Sequence, residues 1–226
     1  MRTGNERIFW KSIRIAGDHA VEYLQGQVSQ DVQQAQEGAW TFILQPDSKV
    51  LALGWLHYVE NGLILDVPEI ASDAVVSRLR RFILRMDVSL TLEECVSPKV
   101  PTLRDAFDLG FPPDVSDFQL MPHSFGGGWI KKAVSFSKGC FTGQELVGRL
   151  DARQAPVPFQ IVRARANSHQ ALTDHVQQGS QSQKQGIIFV FEDQESFYSV
   201  AVMHRGVLAD ESTSAAVGVS LETAPV

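Results

Sequence analysis

Lys138-Gly139-Cys140-Phe141-Thr142-Gly143-Gln144-Glu145-Leu146-Val147-Gly148-Arg149 is the most informative stretch of this chain. Thr142 and Glu145 stand three residues apart ahead of the apolar pair Leu146-Val147. That is the spacing of a capping box, so a helix is expected to start at Gly143. Cys140 would then sit just before a helix N-terminus, with Lys138 two residues away. A positive helix end and an ammonium both favour a thiolate, so this thiol is expected to be more reactive than a free cysteine. Gly139 and Gly143 carry no Cβ to obstruct the approach of backbone or ligand. The residues alone leave open a plainer reading, in which Cys140 is a small buried apolar group and Glu145 only caps its helix.

The charge around this stretch differs from that of the whole chain. The 226 residues carry a net charge of −6, from 20 Lys+Arg against 26 Asp+Glu, which excludes a protein that coats polyanions over its whole surface. Residues 131–165 are nonetheless net +5: Lys131, Lys132, Lys138, Arg149, Arg153, Arg163 and Arg165 face only Glu145 and Asp151. The flanking regions, 1–130 and 166–226, are net −6 and −5. Apolar content of 44 % is that of a globular chain long enough to bury a core. Two cysteines, Cys95 and Cys140, make no disulfide framework, and the polar start of the chain lacks a signal-peptide core, so a cytoplasmic protein is expected.

Outward from the stretch, periodicity predicts the elements. Residues 8–15 read as a strand, and Asp18 as the N-cap of a short helix bearing Val21, Tyr23 and Leu24. Residues 40–44, 50–59 and 63–67 read as strands of an antiparallel meander, the last two joined by the tight turn Asn61-Gly62. Val75, Val76, Leu79, Phe82, Ile83 and Met86 form the stripe of a helix over 72–86, with Arg78, Arg81 and Arg85 on another face, read as solvated ahead of a phosphate or polyglutamate contact. Residues 87–92 return to strand character and Cys95 is expected in the core. Residues 97–128, with Pro98, Pro101, Pro112, Pro113, Pro122 and Gly126-Gly127-Gly128, read as a connector. After Pro156 and Pro158, strands are expected at 159–166, 186–191, 197–203 and 215–221, between polar turns.

Lys138 to Arg149 resembles the K-G-C-[YF]-x-G-Q-E-x-x-x-R signature of the YgfZ family, folate-binding proteins related to the glycine-cleavage T-protein. Tyr23 to Val32, Y-L-Q-G-Q-V-S-Q-D-V, is similar to that family's L-Q-G-Q-x-T-x-D-V element. The resemblance implies an α+β aminomethyltransferase-like folate-binding fold with antiparallel sheets and helices, plus a short C-terminal β module. Residues 1–158 would form the folate-binding region and 159–226 a β-barrel-like module. It implies tetrahydrofolate or a derivative as cofactor, and a role in the assembly or maintenance of iron–sulfur proteins, including tRNA-modifying enzymes. Cys140 becomes the candidate redox or cluster-exchange thiol. Lys138, Gly139, Gly143, Gln144, Glu145 and Arg149 are its signature neighbours, and Gln27 and Asp31 candidates for the folate pocket. Phe141 stands where the family more often has Tyr, Ser29 where it has Thr, and Asp47-Ser48-Lys49 where it often has Gly-Arg.

With two cysteines, the chain is not expected to hold a cluster alone, since clusters ordinarily take four protein ligands. The expected partners are a folate and iron–sulfur client proteins; no metal site, membrane or direct nucleic-acid contact is expected. An accessory protein is expected ahead of an enzyme. The alternative is a folate-dependent aminomethyl or one-carbon transferase in which a carboxylate such as Asp31 positions or deprotonates the substrate amine. A tRNA-contacting role for the basic band lacks an aromatic–basic module.

Overall fold

The computed structural model describes residues 2–95, 99–177, 185–208 and 219–223. They form two compact units. One comprises the described residues of Phe9–Lys99 and Trp129–Ala155; the other comprises those of Met1–Ile8, Val100–Gly128 and Pro156–Val226. The described residues of 1–8 and 100–128 fall in one unit with those that follow Pro156.

In the first unit, β1 (Trp10–Ala16), β2 (Ala39–Leu44), β3 (Val50–Val59), β4 (Gly62–Pro68) and β5 (Ser89–Glu94) make an antiparallel sheet ordered β2-β3-β4-β1-β5. Strand alternation puts Ile13, Ile15, Leu63, Leu65 and Val67 on one face. Against it pack Tyr23 and Leu24 of α1 (Ala20–Gln25) and Val75, Val76 and Leu79 of α2 (Glu69–Arg80). Each such aliphatic side chain, once buried, stabilises the unit by about 1.5–3 kcal/mol. The opposite pleat carries a polar cluster across three strands. Ser12 Oγ donates to Asp66 Oδ1 at 2.5 Å, and His57 Nε2 lies 3.2 Å from Asp66 Oδ2. Asp66 is 1 % exposed, so these partners offset the cost of burying its carboxylate.

Several local expectations need correction. The N-cap of α1 is His19, not Asp18, and it makes no side-chain cap bond. In the β3–β4 turn only Gly62, not Asn61, takes a positive φ, at 138°. Helix α2 stops at Arg80 rather than Met86, because the next residues tighten and Arg85 enters the left-handed region at φ 58°. Phe82, Ile83 and Met86 still pack against the core, from the turn. Cys95 is half-buried, not a core residue.

In the second unit, β6 (Phe159–Ala166), β7 (Gly186–Asp193), β8 (Ser196–His204) and β9 (Val219–Thr223) form an antiparallel sheet ordered β7-β8-β6-β9. Among the described residues no ladder joins β7 to β9. Residues 215–218 of the last expected strand lie outside the described residues. The region read as connector contains α3 (Leu103–Leu109), opened by a capping box between Thr102 and Asp105 and closed by left-handed Gly110. A second helix absent from the sequence reading, α6 (His169–Gln177), packs Leu172 and Val176 on β6 and β8 residues Val162, Ala164, Ala201 and Met203.

Candidate functional site

The two segments that resemble a known family meet in the first unit. The loop that follows α1, residues 25–31, turns every carbonyl from Gln25 to Gln30 toward a donor outside itself. Lys138 Nζ donates to the carbonyls of Gln25, Val28 and Gln30 at 2.6, 2.8 and 2.9 Å. Thr142 N donates to Gly26 O and Ser135 N to Ser29 O, each at 3.0 Å. Arg78 Nη2 donates to Gln27 O at 3.2 Å.

Side chains complete the seam. Ser29 Oγ donates to Ala133 O at 2.5 Å and accepts from Phe42 N at 2.8 Å. Gln30 Nε2 donates to Lys132 O at 2.9 Å, the last turn of α4 (Gly127–Ala133). Buried polar groups that are all paired fix one geometry, since each lost bond would leave a desolvated partner. Ser29 in place of Thr keeps the hydroxyl that this seam uses.

Lys138 is half-buried, and burial pushes its ammonium down to about 8, with the Asp31 carboxylate acting in the opposite sense. The Phe141 ring centroid lies 5.3 Å from Nζ. All three N–H groups of Lys138 are spent on carbonyls, so it gives Cys140 no hydrogen bond. Cys140 is exposed, and Gln144 Nε2 lies 3.9 Å from Sγ. Gln144 Oε1 accepts from Phe141 N at 3.0 Å, so this one amide braces the turn that presents the thiol.

Helix α5 (Gln144–Ala152) starts where expected, but by a different device. No capping box forms. Thr142 Oγ1 instead lies 3.4 Å from Gly26 O and 3.5 Å from Gln27 Oε1. Glu145 pairs with Arg149 at 2.6 Å on the exposed face of α5. The turn into α5 is made by Gly143, at φ 80°. A Cβ there would stand 2.7 Å from Gln45 O and 2.9 Å from Leu44 Cβ, so only glycine fits. At Gly139 a Cβ would meet nothing within 4 Å among the described residues.

Gln27 and Asp31 lie on the same loop, and both are half-buried. Gln27 Oε1 accepts from Arg78 Nη1 at 2.6 Å. Asp31 Oδ1 accepts from Gln25 Nε2 at 3.0 Å and Gln33 N at 3.1 Å, capping the short 3-10 turn Val32–Gln34. The same carboxylate adds to the burial that raises the Tyr58 phenol.

Sequence reasoning missed Arg78. It is 3 % exposed, not solvated, and burial lowers its guanidinium to about 10. Its Nε also donates to Leu44 O at 2.9 Å. The available signal was its place one residue before Leu79 and three after Val75, at the edge of the buried stripe. The basic band is divided between the two units, and Lys131, Lys132 and Arg153 are exposed in the first. Arg163 and Arg165 belong to the second unit, where they meet Glu222 and Ser196. Arg149 is neutralised by Glu145.

A pocket of about 180 Å³ lies beside this seam, lined by Ser135, Phe136, Lys138, Phe141, Gln144 and Gly148. Its two phenyl rings, amide and hydroxyl suit a flat heteroaromatic group. Its volume is below the roughly 300–1,000 Å³ of whole-ligand sites. It therefore fits a pterin-sized ring and not the benzoyl-glutamate remainder of a folate. A larger concavity, about 430 Å³, lies in the second unit among Arg2, Gly4, Arg104, Glu192, Asp193 and Glu195, and holds no signature residue. No helix among the described residues is long and apolar enough to cross a membrane.

No protein-family model and no curated protein matches the chain. Among solved structures, it is similar to the glycine cleavage system aminomethyltransferase T from Bartonella henselae. The likeness has a TM-score of 0.60 at 11 % identity and covers 88 % of this chain and 78 % of that one. It establishes an α+β fold of the aminomethyltransferase type.

Proposed function

We propose that this chain is a folate-binding accessory protein that supports the assembly or maintenance of iron–sulfur proteins, tRNA-modifying enzymes among them, through the thiol of Cys140. The observation that carries the reading is the interlock of the 25–31 loop with the 132–142 segment. It assembles Lys138, Gln144, Gln27 and Asp31 in one unit while leaving the Cys140 thiol exposed. A ring-sized pocket beside Phe136 and Phe141 gives the pterin of a folate an apolar surface, with Gln144 and Ser135 as hydrogen-bonding groups. An exposed thiol suits exchange with a client protein, which a buried one could not reach.

The fold likeness to an aminomethyltransferase favours a second reading, folate-dependent one-carbon transfer with Asp31 as the acting carboxylate. Asp31 Oδ1 already accepts two hydrogen bonds, so it is held as a positioned acceptor. Cells depleted of this protein and supplied with Cys140→Ser or Cys95→Ser separate the readings. Loss of radical-type iron–sulfur enzyme activity with Cys140→Ser alone is the expected result. Full activity with Cys140→Ser would remove the accessory reading. Release of methylene-tetrahydrofolate from an aminomethyl donor by the purified chain would establish the transferase.

A further inference from the structure

We propose that Lys138 is a positioning residue: its ammonium is the fixed cation of a cage built from the carbonyls of Gln25, Val28 and Gln30, and it holds the loop that carries Gln27 and Asp31 against the segment that lines the proposed folate pocket. The ligand in this statement rests on the folate reading; the cage rests on geometry. An ammonium has three donors, and here each meets a carbonyl oxygen within 2.9 Å. The Phe141 ring face, 5.3 Å away, supplies a further attractive surface for the cation. Three converging carbonyls and a ring face make a receptor for an alkylammonium group, of which Lys138 is the resident occupant.

The cage acts on the loop and not on the thiol. Gln30, whose carbonyl Lys138 holds, also receives Asp31 N on its side-chain oxygen at 2.8 Å, which ties the position of Asp31 to the cage. Gln25, held at the other end, donates its side-chain amide to the Asp31 carboxylate. Removing the ammonium would release both ends of the loop and leave its oxygens without donors in a half-buried seam. Cys140 is presented by the Gln144 brace, which is made to the Phe141 backbone and takes no hydrogen bond from the ammonium.

The test uses the full chain as wild type, Lys138→Ala and Lys138→Arg; the arginine keeps the charge, but its planar fork does not match three converging oxygens. Tetrahydrofolate affinity is read by calorimetry and Cys140 reactivity by iodoacetamide rate against pH. Both variants are expected to lose about ten-fold or more in affinity, the worth of one or two charge-assisted bonds. The alkylation midpoint is expected to stay where it is in wild type. Ethylammonium, but not tetramethylammonium, which has no N–H, is expected to restore binding to Lys138→Ala. A midpoint that rises in both variants would show Lys138 acting on the thiol and overturn the proposal.

If wild type binds no tetrahydrofolate, the folate reading fails by itself. The cage is then judged by amide exchange over residues 25–31. Exchange quickened in Lys138→Ala and slowed again by ethylammonium supports the cage, and unchanged exchange rejects it. Should Lys138→Ala fold only with ethylammonium present, that dependence supports the cage directly. Failure to fold in either salt, with Lys138→Arg folded and of wild-type affinity, would overturn it.

Discussion

Lys138 and Arg149 close the two ends of one short segment, and the fold treats them oppositely. Lys138 turns inward, gives all its protons to backbone carbonyls and is partly stripped of water. Arg149 turns outward and pairs with Glu145, at side-chain exposures of 52 % and 87 %. Arg78, distant in sequence, behaves as Lys138 does. Cations of equal formal charge therefore divide by what they bind. Those that take carbonyls hold the backbone, and the one that takes a carboxylate in solvent holds little. The thiol of Cys140 stands between the two regimes, on a turn braced by an uncharged amide.

The largest expected effect is at the pivot between the regimes. Gly143→Val would force a left-handed backbone on a β-branched residue and drive Cβ into Gln45 O and Leu44. A loss of about 3 kcal/mol or more is expected by urea unfolding, with the chain unfolded at physiological temperature as an equally consistent outcome. A loss below about 1 kcal/mol would show that the turn repacks and that α5 is not pinned to β2. Next is Arg78→Met, which keeps the apolar stem and leaves Gln27 and Leu44 O without their donor. A loss of about 2–4 kcal/mol is expected, against a near-neutral result if water enters the seam.

A third effect sharpens the contrast by removing the carbonyls from it. His175 in the second unit is 1 % exposed, and burial lowers its imidazole below the ordinary value. Its folded form binds a proton less readily than its unfolded form, so the stability it contributes is present above about pH 6.5 and falls away as pH drops below that value. Replacement by Leu is expected to flatten the stability profile between pH 4 and 7; an unchanged profile would assign the acid sensitivity elsewhere. The smallest effect is at the solvated end. Arg149→Ala is expected to change stability by no more than about 0.5 kcal/mol, less still in high salt. A loss as large as that of Arg78→Met would break the division between inward and outward cations.

The strands were the most legible part of the fold, because β1, β3 and β4 alternate or run apolar between clear turns and their pairing needs no distant information. Helices α3 and α6 were not. Helix α3 lies in a proline-rich region that masks its Thr102–Asp105 box, and α6 has only Leu172 and Val176 on its buried stripe among polar neighbours. At the site, the start of α5 was legible from composition while its cause was not: Thr142 and Glu145 match a capping pattern, yet the loop at Gly26 and the partner Arg149 compete for them and win. The role of Lys138 was illegible for a different reason. Its partners are backbone carbonyls, which every residue carries, so no side-chain pattern announces them. Arg78 was hidden by the habit of assigning arginine to water.

The proposed function turns on whether the seam and its ring-sized pocket take a folate. Calorimetric titration of tetrahydrofolate into the full chain, with the Gln144→Ala variant alongside, tests this most directly. The account predicts saturable one-to-one binding to wild type and binding weakened about ten-fold in the variant, through loss of the Gln144 amide that lines the pocket and braces its turn. No heat beyond dilution in wild type, or equal affinity in both proteins, would contradict it.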